Sequence, residues 1–278
     1  MTMILCCMIL GLQQVAIKLS AQDIAPVMQL SLRSLLGLGL VLIVMGVQRQ
    51  MHFDKRQIGL GVFVGALFAL EFLFLGEALR HTTATRSVVF LYTSPLFSAL
   101  FLHFFNKDER LGAQGWLGLG LAFFGIMVAF LSNSAQAGSL MGDGLALLAG
   151  LSWGLTTVII RLTPLGNLPA KHMLAYQLLM VFVILLSYAL LTHQTTITIN
   201  TASVLSVAFQ GVFVAFLASM SWFWLLSRYR SADIGALILM TPVFGVLLSA
   251  WLLDEPLTLI FGIGASLVLL GLILVIRR

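Results

Sequence analysis

Gly150-Leu151-Ser152-Trp153-Gly154-Leu155-Thr156-Thr157-Val158-Ile159-Ile160-Arg161-Leu162 is a heavily apolar stretch in the middle of the chain, and it restates the beginning. The first helix carries Gly11-Leu12-Gln13-Gln14-Val15-Ala16-Ile17-Lys18-Leu19. At an offset of 143 the chain reads Gly154-Leu155-Thr156-Thr157-Val158-Ile159-Ile160-Arg161-Leu162. Glycine, leucine, valine, isoleucine, a cation and leucine recur at the same spacing. The chain therefore reads as two copies of one unit, residues 1–135 and 136–278, with this stretch opening the second.

What surrounds the repeat is almost free of charge. Of 278 residues, 60% are hydrophobic and 9% charged, at a mean hydropathy of +1.07, whereas soluble domains carry about 25% charged residues. Such a chain cannot dress a soluble surface, and its fold class is all-α integral membrane. At ~20 residues per spanning helix, ten spans with their loops use up its length. β-Barrel spans would alternate polar and apolar residues over about ten positions, and these do not. The first nineteen residues have neither a basic n-region nor a small-residue cleavage site, so they read as a first span and not as a removable signal. Cys6 and Cys7 are adjacent on one helix and point about 100° apart, which makes a mutual disulfide implausible.

Apolar runs bounded by Pro, Gly and charge place the spans near 2–20, 25–48, 57–79, 82–105, 112–131, 141–162, 169–192, 203–226, 231–252 and 258–276. Loop cations orient them. Arg49, Lys55, Arg56, Lys107, Arg110, Arg161, Lys171, Arg228, Arg230, Arg277 and Arg278 fall on one side; Lys18, Arg80 and Arg86 fall on the other. The positive-inside rule makes the eleven cytoplasmic, with both termini. Each copy then holds five spans, an odd number, so the second must lie inverted relative to the first. Further matches extend the repeat: Pro26 with Pro169, Ser94-Pro95-Leu96-Phe97 with Thr241-Pro242-Val243-Phe244, and Glu109, Leu111, Gly118 and Gly125 with Glu255, Leu257, Gly264 and Gly271. Inverted repeats are a signature of secondary transporters, whose substrate site lies near the repeat interface at mid-membrane.

These residues resemble the EamA-type branch of the drug/metabolite transporter superfamily. The Ser-Pro and Thr-Pro pairs of the fourth and ninth spans carry the likeness, as do Glu109-Arg110-Leu111 and Glu255-Pro256-Leu257, each leading into a Gly-rich span. Gly11 to Lys18 and Trp153-Gly154 add to it. The family's Trp-Gly in the first span is Leu10-Gly11 here. The resemblance covers essentially the whole chain and implies ten helices, cytoplasmic termini and export of small metabolites, amino acids among them.

Candidate site residues follow from the cost of burying polar groups. Arg33 and Glu71 each sit about eight residues, or about 12 Å, from the outer ends of the second and third spans. A lone charge at that depth costs a few kcal/mol or more, so each needs a partner or water. Equal depth on consecutive spans makes them a candidate charge pair, either a packing salt bridge or a cavity group that binds an ammonium or carries a proton. Arg86 is the rival partner, or a carboxylate-binding cation. Pro95 and Pro242 each free one carbonyl, of Leu91 and Ile238, and are candidate kinks or gates. Glu109, Glu255 and Asp143 stand at helix starts, where a carboxylate suits the positive end of the dipole. Polar residues avoid the fifth and tenth spans, which leaves those two as scaffold. Glu71, Arg86, Tyr92, Trp153, Tyr176 and Trp222 are the candidate pathway residues: Glu71 for a cationic group, Arg86 for an anionic one, the aromatics to enclose the substrate.

Two other classes were weighed against a secondary carrier. Gly150-Leu151-Ser152-Trp153-Gly154 matches the G-x-S-x-G of a hydrolase elbow, but that motif needs a strand–turn–helix context, and here the glycines read better as a small-xxx-small packing face. No lysine precedes Ser or Thr in a P-loop frame, so an ATP-driven system would need a separate ATPase. The sequence thus points to a non-enzymatic inner-membrane transporter with no cofactor and no metal. Its expected partners are a small-molecule substrate such as a zwitterionic amino acid, the lipid bilayer and a coupling proton, with no nucleic acid.

Overall fold

The computed structural model describes residues 2–51, 55–107, 110–131, 139–221, 224, 240–255 and 257–276. Its helices fall on the predicted spans: α1 (Thr2–Leu19), α2 (Pro26–Val47), α3 (Lys55–His81), α4 (Ala84–Leu91), α5 (Ser94–Phe105), α6 (Ala113–Leu131), α7 (Leu140–Leu162), α8 (Ala170–Leu191), α9 (Thr201–Ala208), α10 (Met240–Leu252) and α11 (Leu259–Ile276). A 3₁₀ turn, Pro164–Asn167, links α7 to α8, and α9 continues as a π-helix over Phe209–Ala218. Among the described residues six helices are long and apolar enough to cross a membrane, counting α4–α5 and α9 with its π-segment as one each. Four shorter apolar helices, in α1, α6, α10 and α11, accompany them. The fourth span is broken at Tyr92–Thr93 and the eighth widens, neither of which hydrophobic periodicity reveals.

Large apolar side chains cover much of the surface. Leu117, Phe124 and Met127 of α6 and Ile260, Ile263 and Leu270 of α11 are exposed, as suits a bundle whose solvent is lipid. Inside, the two halves interleave. The strongest pairing is α6 with α11; α3 packs on α7 and α8, α2 on α8 and the π-segment, and α1 on α10.

The glycines that carry the repeat in sequence carry it again in packing. A β-carbon at Gly118 would lie 2.7 Å from the Gly271 carbonyl oxygen, and one at Gly271 2.5 Å from that of Gly118. Gly125 and Gly264 approach each other reciprocally at 2.7 and 2.8 Å. Because Gly118 matches Gly264 and Gly125 matches Gly271, the two approaches are one contact seen twice. The same holds across α1–α10 and α5–α7. A β-carbon at Gly11 would meet Gly245 N at 2.8 Å, Phe244 Cβ at 3.1 Å and Thr241 O at 3.1 Å. One at Gly154 would meet Ser98 N at 3.3 Å, Phe97 Cβ at 2.9 Å and Ser94 O at 3.0 Å. Without a hydrophobic drive between helices in lipid, close backbone approach at small residues is what holds such pairs.

At the end of the bundle that the loop cations assign to the outside, charges bind helix termini. Lys18 donates to the carbonyls of Leu79 and Thr82, at the end of α3, at 2.6 and 2.8 Å. The Glu255 carboxylate accepts from the Ala84 and Thr85 amides, at the start of α4, at 2.7 and 2.8 Å. Glu255 therefore caps α4 and not the helix that follows it in sequence; Glu109 lies outside the described residues. In both contacts the charge has the sign the helix dipole calls for.

Candidate functional site

Between these helices lies a cavity of about 250 Å³. Leu10, Gln13 and Gln14 of α1, Arg33 of α2, Phe68, Glu71 and Phe72 of α3, and Leu91 and Tyr92 at the break of the fourth span form one part of its wall. Trp153, Thr156, Thr157 and Ile160 of α7, Leu174, Gln177 and Leu178 of α8, and Val214, Ala215, Ala218 and Ser219 in and beside the π-segment form the other. Both halves contribute, and α6 and α11 do not, in keeping with their expected role as scaffold. Gln13 and Gln14 face the cavity together with their repeat mates Thr156 and Thr157.

Arg33 and Glu71 are its charges, and both are buried. Each is within electrostatic reach of the other, yet they form no direct ion pair. Arg33 Nε and Nη1 and Glu71 Oε2 have no hydrogen-bond partner in the protein. The guanidinium stacks instead on the Phe72 ring, 4.2 Å from its centroid, a cation–π contact. The two stand at the same level: Gly76 of α3, five residues outward of Glu71, packs on Val27 and Leu30 of α2, six and three residues outward of Arg33. Equal depth leaves the side chains free to turn differently, and the guanidinium turns onto Phe72. The result is one cation and one carboxylate on one cavity wall, each with unused hydrogen-bonding capacity. A buried polar group in that state is costly unless something else satisfies it.

Tyr92 and Trp153 meet edge to face at 5.3 Å between centroids, both on the cavity wall. Two other expected pathway residues, Arg86 and Tyr176, are placed differently. Arg86 is committed elsewhere: its Nε donates to both Asp143 carboxylate oxygens at 2.9 Å, and Nη2 donates to Asp143 Oδ2 and to the Ala129 carbonyl at 3.1 Å. Thr82 Oγ1 donates to the same carboxylate at 2.7 Å, so Asp143 anchors Arg86 and is more than a helix cap. Tyr176 is off the cavity wall, its ring lying where a side chain at Gly61 of α3 would otherwise stand. Trp222 lies outside the described residues. Phe68 and Phe72 are cavity groups that the sequence did not single out, because aromatics on an apolar helix look like ordinary core.

Pro95 acts at a helix start. Pro95 is the second residue of α5, where a missing amide costs nothing. The break before it lets Thr93 Oγ1 donate to the Phe90 carbonyl at 2.6 Å. Gly150 makes room for it: a β-carbon there would stand 2.8 Å from Phe90 O and 3.0 Å from Leu91 O. Pro242 stands in the first turn of the described part of α10, and the Ile238 carbonyl lies outside the described residues. Ser152 of the hydrolase-like motif is buried in mid-helix, with Gly150 and Gly154 on either side packed against α4 and α5.

Comparison with known proteins agrees with this architecture. The EamA-like transporter family model matches twice, over residues 1–131 and 140–277. The "Uncharacterized transporter YoaV" of Bacillus subtilis is 25% identical over 271 residues, covering 95% of this chain and 92% of its own length. A "Probable amino-acid metabolite efflux pump" of Escherichia coli is 25% identical over 274 residues, covering 94% and 89%. A solved crystal structure 20% identical in sequence superimposes with a TM-score of 0.68 over 98% of this chain and 93% of that one, a likeness of fold. Long apolar helices, a cavity lined by two charges and a doubled family match lead to one statement: the chain is a multi-pass membrane protein that belongs to the EamA-like transporter family.

Proposed function

We propose that the protein is a secondary-active exporter that carries a small metabolite, an amino acid or a related zwitterion, across the inner membrane by alternating access. The observation that carries this reading is the cavity lined by one cation and one carboxylate that form no ion pair with each other. Arg33 would take the substrate carboxylate, in place of the Arg86 expected from sequence, and Glu71 its ammonium. Tyr92 and Trp153 would enclose the rest. A lone carboxylate in such a cavity also suits a coupling proton, held when no ammonium is present. The efflux-pump names of relatives in Escherichia coli and Salmonella typhimurium support amino acids and export.

The architecture of this proposal is ten spans in two inverted sets of five, with the four shorter apolar helices each counted as part of a span. The reciprocal glycine contacts and the two family matches support it. Reporter fusions after Gln50 and Arg278 are expected to read cytoplasm, and one at Ala135 the outside; a cytoplasmic signal at Ala135 would give the two halves one orientation and break the inversion. For substrate, protein reconstituted in liposomes preloaded with a mixture of unlabelled amino acids is expected to accumulate labelled amino acids by counterflow. The matching amines or carboxylic acids, lacking one charge, are expected to exchange at least tenfold more slowly. Folded protein that exchanges no amino acid above empty liposomes would overturn the substrate reading.

A further inference from the structure

One buried polar cluster remains outside the cavity. Ser20 Oγ, with one proton to give, lies 2.8 Å from Ser206 Oγ and 3.0 Å from Gln29 Oε1, and Ser206 Oγ donates to the Ala16 carbonyl at 2.9 Å. Gln29 Nε2 donates to the carbonyls of Ile17 and Ile24 at 3.1 and 2.8 Å. Gln210 Nε2 donates to Gln29 Oε1 at 2.9 Å and to Ser206 Oγ at 3.0 Å. All four side chains are buried. They join the outer ends of α1 and α2, from the first half, to α9 and the first turn of the π-segment, from the second.

Its position relates it to the cavity. Gln29 lies one helical turn outward of Arg33, and Gln210 stands in the same way to Val214, while Ala16 and Ile17 lie one turn outward of Gln13 on α1. Arg33, Val214 and Gln13 all line the cavity. Residues three and four apart share a helix face, so on three helices the cluster continues the cavity wall toward the outer surface. Above it the connections close over: Ile24 and Ile197 form a β-bridge, and Thr198 N donates to Asp23 O at 2.9 Å.

We propose that this Ser20–Gln29–Ser206–Gln210 cluster is the outer gate of the substrate pathway, closed in this structure; this rests on the transporter reading above. Three physical features suit a gate and not a permanent core. Each bond within the cluster can be exchanged for one to water at small net cost, so the same surfaces tolerate being dry and wet. Gln210 Oε1 is buried without a partner, which leaves the closed form incompletely satisfied. Gln210 also belongs to the ten-residue π-helix, a rare geometry that marks functional sites in helices. The opposite end of that π-segment lines the cavity. A return of the segment toward α-helical register would turn Gln210 out of the cluster while moving Val214 and Ala218 on the cavity wall, coupling cavity occupancy to opening.

The test needs no substrate, so its failure is separable from that of the substrate reading. In a C6A/C7A background, Thr157→Cys reports access to the cavity by a membrane-impermeant maleimide added outside intact cells. Q29L/Q210L is expected to raise its labelling rate at least tenfold, and S206A, a milder change suited to the case where the double variant does not fold, at least twofold. Conversely, oxidation of a Ser20→Cys/Ser206→Cys pair, cross-linked as shown by mass spectrometry, is expected to reduce labelling to background, reversibly with reductant. Unchanged labelling in folded S206A protein, or in the cross-linked protein, would overturn the gate. A cysteine pair that cannot be cross-linked would contradict the α1–α9 juxtaposition on which it depends.

Discussion

Arg86→Gln is expected to remove most of the folded protein. The Arg86 side chain is 3% exposed and that of Asp143 0%, and the pair ties the start of α4 to the first turn of α7, with Ala129 of α6 as a third partner. Breaking a buried ion pair from one side leaves the other charge uncompensated, at a cost of about 3–5 kcal/mol. That is a large part of the ~5–15 kcal/mol by which proteins are typically stable. Asp143→Asn is expected to be nearly as damaging, since it also weakens the acceptor of the Thr82 hydroxyl. The double variant R86M/D143L removes both charges and should recover much of the loss. Yield of monodisperse protein and melting temperature in detergent measure this. Single variants as stable as wild type would place the ion pair among contacts that contribute little, and would reopen Arg86 as a pathway cation.

The contrast between Arg86 and Arg33 marks what was legible in the sequence. Both are cations toward the outer ends of apolar spans, Arg33 about eight residues in and Arg86 four. What separates them is a partner: Asp143, 57 residues further along, sits where any carboxylate is adequately explained by the helix dipole, so nothing local announces its role. Arg33 and Glu71 were recognisable as costly, hence meaningful, but their relation was not. Depth brings the two within electrostatic reach but does not say which way each side chain turns, and the Arg33 guanidinium turns onto the Phe72 ring. Glu255 was misplaced for a similar reason, since a carboxylate at a helix start can serve any nearby amino terminus.

Glycine has a geometric reason to recur at the spacing that reads as a repeat. Gly118, Gly125, Gly264 and Gly271 are needed wherever α6 and α11 bring their backbones together, and Gly11 and Gly154 where α1 and α7 cross α10 and α5. Span limits followed from hydrophobicity, which is set by the bilayer. The π-segment of the eighth span was not legible, because hydropathy reports burial and carries no information on hydrogen-bond register. Nor was the Ser20–Gln29–Ser206–Gln210 cluster: serine and glutamine scattered over three spans acquire meaning only when those spans are packed.

Arg33→Gln and Glu71→Gln are expected to abolish most transport while leaving folding intact, the reverse of Arg86→Gln. Arg33 Nε and Nη1 and Glu71 Oε2 have no hydrogen-bonded protein partner, so removing them breaks no protein hydrogen bond. Each is expected instead to lose a bond to a charged substrate group, about 1.5–3 kcal/mol, or roughly 10- to 100-fold in affinity. The decisive measurement is counterflow of a labelled zwitterionic amino acid into liposomes carrying wild type, R33Q or E71Q, at matched protein density and melting temperature. The expected result is robust exchange by wild type and at least a tenfold higher half-saturating substrate concentration in each variant. Wild-type exchange kinetics in both folded variants would contradict the account, because the two charges would then have no part in holding the substrate.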